Sequence, residues 1–217
     1  MRFTDPRSAG LALAAKLEAY QVSGPAVVLA VARGGVAVAL EVAKRLGLPL
    51  DLILIRRLLV PHGPDTPLCA VNVGGSPWVD AEVAARTKAA PDAELGHFIA
   101  DALAELDARA RTCRGDRQAF DLAGKTVLLV DNGIRTGSTV RVAVRALRTR
   151  APARVVTAVP VAAAEACAGV ESVSDDFVCL ASPEPFGHVG LWYADFKRPG
   201  DQEIREMLEE SARNFSL

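Results

Sequence analysis

The stretch Val127-Leu128-Leu129-Val130-Asp131-Asn132-Gly133-Ile134-Arg135-Thr136-Gly137-Ser138-Thr139 decides the fold. Its first four residues are apolar without interruption, which reads as a strand buried on both faces. Asp131 and Asn132 then arrive at the carboxyl end of that strand, where open α/β sheets bind their ligands. Gly133 and Gly137 let the backbone bend so that successive amides point inward, while Thr136, Ser138 and Thr139 add hydroxyl donors at the start of a helix spanning about 138–148. The result is a cup suited to a dianionic phosphate, with room for a polyhydroxylated group on the Asp131 side.

The same alternation of short strand and longer helix extends outward in both directions. Val27 to Val31 reads as a buried strand, Val36 to Leu46 as a helix stopped by Gly47 and Pro49, and Leu52 to Ile55 as the next strand. Between Arg56 and Pro77 the period disappears under Pro61, Gly63, Pro64, Pro67, Gly74 and Gly75. A connection of that length in a compact domain is commonly functional. Apolar residues at Leu95, Phe98, Ile99, Ala102, Leu103 and Leu106 then mark one face of an amphipathic helix within 91–113. Val155 to Val159 and Phe177 to Leu180 are further strands with an alanine-rich helix between them, and 201–214 reads as a closing surface helix. The expected fold is therefore α/β, an open and mostly parallel sheet of about five strands flanked by helices, in a single domain over 1–217.

Composition sets the class. Half of the 217 residues are hydrophobic and 24% are charged, so the chain can bury a core and is not disordered. Lys+Arg 25 against Asp+Glu 26 gives a formal charge of -1, which argues against a nucleic-acid binder. Cys69, Cys113, Cys167 and Cys179 form no C-x-x-C pair, so neither a zinc knuckle nor a redox motif is written, and a reduced cytoplasm is the expected setting. The opening residues lack the apolar segment of a signal peptide, and no apolar run is long enough to span a bilayer, so no membrane partner is expected.

A second turn, Ala32-Arg33-Gly34-Gly35, follows the first strand and precedes a helix. Adjacent glycines allow close backbone approach there, and Arg33 offers a fork of donors suited to phosphate. Arg56 and Arg57 close the second strand and open the long connection that carries His62 and Asp65, while His97 and His188 have weaker claims on chemistry. Gly124-Lys125-Thr126 imitates the end of a P-loop, but Ala119 stands where the first glycine is required and the triplet precedes its strand. Neither glycine turn has the Gly-x-Gly-x-x-Gly spacing of a dinucleotide site, which excludes a nicotinamide-dependent oxidoreductase.

The segment from Val127 to Thr139 resembles the motif by which type I phosphoribosyltransferases bind phosphoribosyl diphosphate (PRPP). The resemblance runs from roughly 3 to 201 and is strongest to a group of predicted bacterial phosphoribosyltransferases with an Arg-Gly-Gly turn, a Pro-rich lid and a Pro-Phe/Val-Gly/Tyr/Asp-Phe hood. It implies that Gly133, Arg135, Thr136, Gly137, Ser138 and Thr139 hold the 5-phosphate, that Asp131 and Asn132 hold the ribose, and that Arg33, Gly34, Gly35 and Arg57 meet the diphosphate, although strand alternation leaves Arg56 as the alternative to Arg57. The family's first turn commonly contains a cis non-proline peptide. A lid at about 56–77 and a small hood lobe at about 183–200 are implied as well.

Four of the few aromatic residues, Phe186, Trp192, Tyr193 and Phe196, lie together in the hood segment. Phe186 or Trp192 is the implied platform for an acceptor base, with Asp195 an indirect contact to a magnesium ion carried with the diphosphate. The same aromatics equally suit a satellite core with no ligand contact. Two departures matter: Asn132 replaces the family's second acid, and Arg135 replaces an Asp that purine-salvage relatives often carry. The implied activity is transfer of the phosphoribosyl group from PRPP to an unidentified nitrogen acceptor, with a homodimer as the common assembly. The alternative is a non-catalytic PRPP or nucleotide sensor on the same fold.

Overall fold

The computed structural model describes residues 2–18, 24–58, 68–72, 77–79 and 92–214. In chain order the elements are α1 (Pro6–Glu18), β1 (Ala26–Ala32), α2 (Val36–Leu46), β2 (Leu50–Leu58), β3 (Leu68–Asn72), β4 (Pro77–Val79), α3 (Asp92–Arg114), β5 (Thr126–Val130), α4 (Ser138–Arg148), β6 (Arg154–Val161), α5 (Ala164–Glu171), β7 (Asp176–Ala181) and α6 (Asp201–Asn214). One sheet runs in the order β4-β3-β2-β1-β5-β6-β7. Strands β2, β1, β5, β6 and β7 run parallel to one another, and β3 and β4 extend the β2 edge as antiparallel strands.

The expected fold class holds, with three additions: helix α1, and the strands β3 and β4, of which β3 occupies part of the span read as an uninterrupted loop between Arg56 and Pro77. β2 also runs on to Leu58, past the Ile55 at which the sequence reading ended it. Residues 59–67, with His62 and Asp65, and 73–76 of the expected lid lie outside the described residues.

Strand alternation divides the interior between the two faces. Val27, Leu29 and Val31 of β1 pack with Val127 and Leu129 of β5 into a cluster shared with α4, α5 and the hood residues Phe186 and Tyr193. Val28 and Ala30, with Leu128 and Val130, point the other way into a cluster completed by α1, α2 and α6. Because both faces are covered, β1 and Val127–Val130 of β5 are apolar at every position and lack the polar alternation of a solvent-facing strand. Helix α3 covers Leu54 of β2 with Ala102, Leu106 and Ala110.

Deep at the end of α3, Arg114 donates to Asp51 Oδ1 at 2.6 Å and to the Leu52 carbonyl at 2.7 Å, a buried ion pair that locks the helix to the start of β2. Arg109 makes a forked contact with Asp201, joining α3 to α6. Among the described residues, no helix is long and apolar enough to cross a membrane.

Candidate active site at the carboxyl ends of β1 and β5

β1 and β5 are adjacent and in register, with Ala30 opposite Val130, so their two following turns meet at one end of the sheet. The β1 turn carries a cis peptide between Ala32 and Arg33. Gly34 and Gly35 are required there by proximity. A Cβ on Gly34 would lie 2.4 Å from the Asn132 side-chain nitrogen, and one on Gly35 would lie 2.5 Å from the Val130 carbonyl oxygen. The first turn thus rests directly on the end of β5, and no side chain larger than hydrogen fits between them.

After β5 the chain makes the expected cup. The Ile134 amide donates to the Val161 carbonyl at 2.9 Å and the Ala163 amide to the Ile134 carbonyl at 2.8 Å, which pins the loop to the end of β6. Gly137 precedes α4 in a left-handed conformation, φ 72°, that favours glycine, and no side chain caps the helix. The amides of its first turn therefore remain available to an anion. The Thr136 and Ser138 hydroxyls stand 3.1 Å apart beside them. A pocket of about 350 Å³ is lined by the continuous run from Asp131 to Val140 and, from the hood, by His188, Val189, Gly190, Phe196 and Arg198.

Asp131 is the acid of this pocket. Its Oδ1 accepts the Asn132 backbone N–H at 2.7 Å. Burial raises the carboxyl to about 7, opposed by that hydrogen bond and by the positive charge of Arg198. A carboxyl poised there exchanges its proton near neutrality. It can accept hydrogen bonds from sugar hydroxyls in either form, and bears full negative charge only above that point.

The hood is tied to this floor. Tyr193, only 1% exposed, donates its hydroxyl to the Asn132 carbonyl at 2.5 Å. Burial and the nearby Asp131 carboxyl hold that phenol well above its ordinary value, in the neutral donor form. The Tyr193 ring stacks on Phe196 at 5.0 Å and tilts against Phe3 at 5.8 Å. Residues 2–5 brace the hood from outside: Phe3 pairs with Tyr193, the Phe3 amide donates to the Trp192 carbonyl, and the Ala194 and Asp195 amides donate to Phe3 and Thr4.

The candidate residues are thus distributed as follows. Asp131, Asn132, Gly133, Arg135, Thr136, Gly137, Ser138 and Thr139 line one pocket, and Gly34 and Gly35 adjoin its floor. Arg33 lies in the first turn, at the end of β1. Arg56 turns toward α3 and pairs with Glu105, so it is engaged away from the turn residues, whereas the Arg57 side chain lies outside the described residues.

Neither Phe186 nor Trp192 is among the pocket residues. Phe186 is buried in the core, and the Trp192 indole donates to its carbonyl at 3.1 Å. The pocket's aromatic is Phe196, part of the hood motif but not the expected base platform, and Arg198 follows it with its guanidinium 5.9 Å from the ring centre. Asp195 is exposed beside this group and is not a lining residue. Among the described residues, no three acids, histidines or cysteines cluster closely enough to hold a metal unaided.

A mostly parallel sheet whose two central turns meet in one pocket beside a buried acid places the chain among open-sheet α/β proteins with a site at the carboxyl ends of their strands. The chain belongs to the phosphoribosyl transferase domain family, whose model matches residues 9–191. Proteins from two strains of Mycobacterium tuberculosis, provisionally named phosphoribosyl transferases, are 37% identical over 99% of this chain. The chain spans about half of those relatives' length, 48%. Among solved structures, the protein TT1426 from Thermus thermophilus is 34% identical with a TM-score of 0.81, over 97% of this chain and 99% of that one. A Neisseria gonorrhoeae protein crystallised with ppGpp shares the fold at 16% identity and a TM-score of 0.51, over 98% of this chain and 99% of the other.

Proposed function

We propose that the protein transfers the 5-phosphoribosyl group of PRPP to a nitrogen acceptor of the nucleobase type and releases diphosphate. The observation that carries this reading is the meeting of the uncapped α4 start with Asp131 in one pocket, since a phosphate cup next to a sugar-binding acid is what a ribose 5-phosphate group needs. In this reading the cup from Gly133 to Thr139 holds the 5-phosphate. Asp131 accepts from the ribose hydroxyls, with the Asn132 amide oxygen as a second acceptor. Arg33, Arg57 and the Gly34–Gly35 turn meet the diphosphate, and Arg198 adds a further positive charge at the rim.

Loss of diphosphate places positive charge at the anomeric carbon. Asp131 stabilises that charge only when ionised, so its carboxylate supplies the electrostatic part of catalysis above about pH 7. The hood shields the reacting carbon from water, which otherwise captures the ribosyl group. Phe196 rather than Phe186 or Trp192 is the aromatic placed to meet an acceptor ring.

No group of described residues could hold a metal unaided, so a magnesium ion would arrive with the diphosphate, Asp195 of the hood would be its indirect protein contact, and it would supply charge neutralisation to the leaving group. The reading carries with it a cytoplasmic setting and the homodimer common in such families. Diphosphate release from magnesium-PRPP across a panel of nucleobases tests it: release above the no-acceptor rate supports transfer, whereas tight PRPP binding with no release on any base favours a sensor.

A further inference from the structure

Residue 132 makes two hydrogen bonds, one to its neighbour and one to the hood, and its side chain abuts the first turn. Its amide N–H donates to the Asp131 carboxylate at 2.7 Å. Its side-chain amide lies so close to the first turn that any Cβ on Gly34 would collide with it. Its carbonyl receives the Tyr193 hydroxyl at 2.5 Å. Asn132 is 8% exposed and Tyr193 1%, so water does not substitute readily for either contact. Tyr193 is itself immobilised by Phe3 and Phe196 and by the backbone pairing with Phe3.

We infer that Tyr193 is a positioning residue for sugar recognition: its hydroxyl fixes residue 132 between the hood and the first turn, and thereby orients the Asp131 carboxylate toward the ribose. The inference rests on the phosphoribosyl reading above and extends it to a hood residue to which the motif assigns no role. Tyr193 does not touch the ligand in this account. The phosphate cup hangs on a separate set of bonds, from Ile134 to Val161 and from Ala163 to Ile134, which the Tyr193 hydroxyl does not join. Its loss therefore separates the two halves of the site, weakening sugar recognition and sparing phosphate recognition.

Tyr193→Phe removes the hydroxyl and keeps the ring. The affinities to compare are those for inorganic phosphate, which probes the cup alone, and for ribose 5-phosphate, which probes cup and acid together. Both are measured by ligand-dependent thermal stabilisation on wild type and variant. Wild type is expected to prefer ribose 5-phosphate, and the variant to lose about tenfold for that ligand, about 1.4 kcal/mol, with its phosphate affinity unchanged. The phosphate arm shows at the same time that the variant is folded. An unchanged preference in the variant, or an equal loss for both ligands, overturns the role of the hydroxyl while leaving the phosphoribosyl reading standing. A wild type that gains nothing from the ribose overturns that reading, and this inference with it.

Discussion

Asp131→Asn separates what the site needs from what the fold prefers. The folded protein holds this carboxyl at about 7, against an ordinary 3.8, because burial penalises its charge. At about 1.36 kcal/mol per pH unit, ionising it in the native state costs on the order of 4 kcal/mol. The pocket opens to solvent, so this is an upper figure. The sign follows from proton counting. Between about pH 4 and 7 the folded state binds the proton that the unfolded state has already lost, so wild-type stability falls as pH rises through that window and levels off above it.

Asparagine preserves the shape and the oxygen that accepts the Asn132 N–H, but never ionises. The variant should match wild type near pH 4 and exceed it at pH 8 by up to the full amount, while losing the charge that the proposed chemistry requires. Urea unfolding of both proteins at pH 4.5, 6 and 8 measures this directly. A stability difference that does not change with pH would refute the reasoning, because it would show that Asp131 ionises in the native state as easily as in the unfolded chain.

Two further changes probe the surroundings. Gly34→Ala places a Cβ 2.4 Å from the Asn132 side-chain nitrogen and must push the Asn132 side chain or its turn aside, so ribose 5-phosphate should bind several-fold more weakly while inorganic phosphate is little affected; titration with each ligand checks this. Arg114→Met leaves Asp51 buried without its partner and should cost about 3–5 kcal/mol, whereas Asp51→Leu combined with Arg114→Met should recover most of the loss, as chemical denaturation will show.

Much of the architecture was legible because the central strands have no choice of pattern. β1 and β5 are buried on both faces, so their apolar runs announce themselves, and the glycines at 47 and 137 mark helix limits by conformation. The bounds of α2, α4 and α6 agree with the sequence reading for that reason. Helix α1 was not seen, since Ser8, Ala9, Gly10 and Ala12 blur the contrast between its faces. β3 was hidden by the prolines and glycines around it, and its pairing with β2 is a long-range event that no local signal encodes.

The site divides in the same way. The cup from Gly133 to Thr139 is contiguous, and its backbone requirements are written in glycine and hydroxyl residues. The hood is assembled from packing, so its aromatic cluster was visible while the role of each ring was not. Phe186 turns into the core and Phe196 into the pocket because the 3₁₀ turn at Val189–Trp192 and the pairing of Tyr193 with Phe3 set their directions. The Tyr193 bond to Asn132 joins residues far apart in the chain through a backbone carbonyl, which no residue pattern can specify.

In the proposed function, Asp131 and the adjoining cup bind the phosphoribosyl group of PRPP. Isothermal titration of magnesium-PRPP into wild type and Asp131→Ala tests it most directly. Saturable binding by wild type that is lost or sharply weakened in the variant is the predicted result; no binding by wild type, or undiminished binding by the variant, would contradict it.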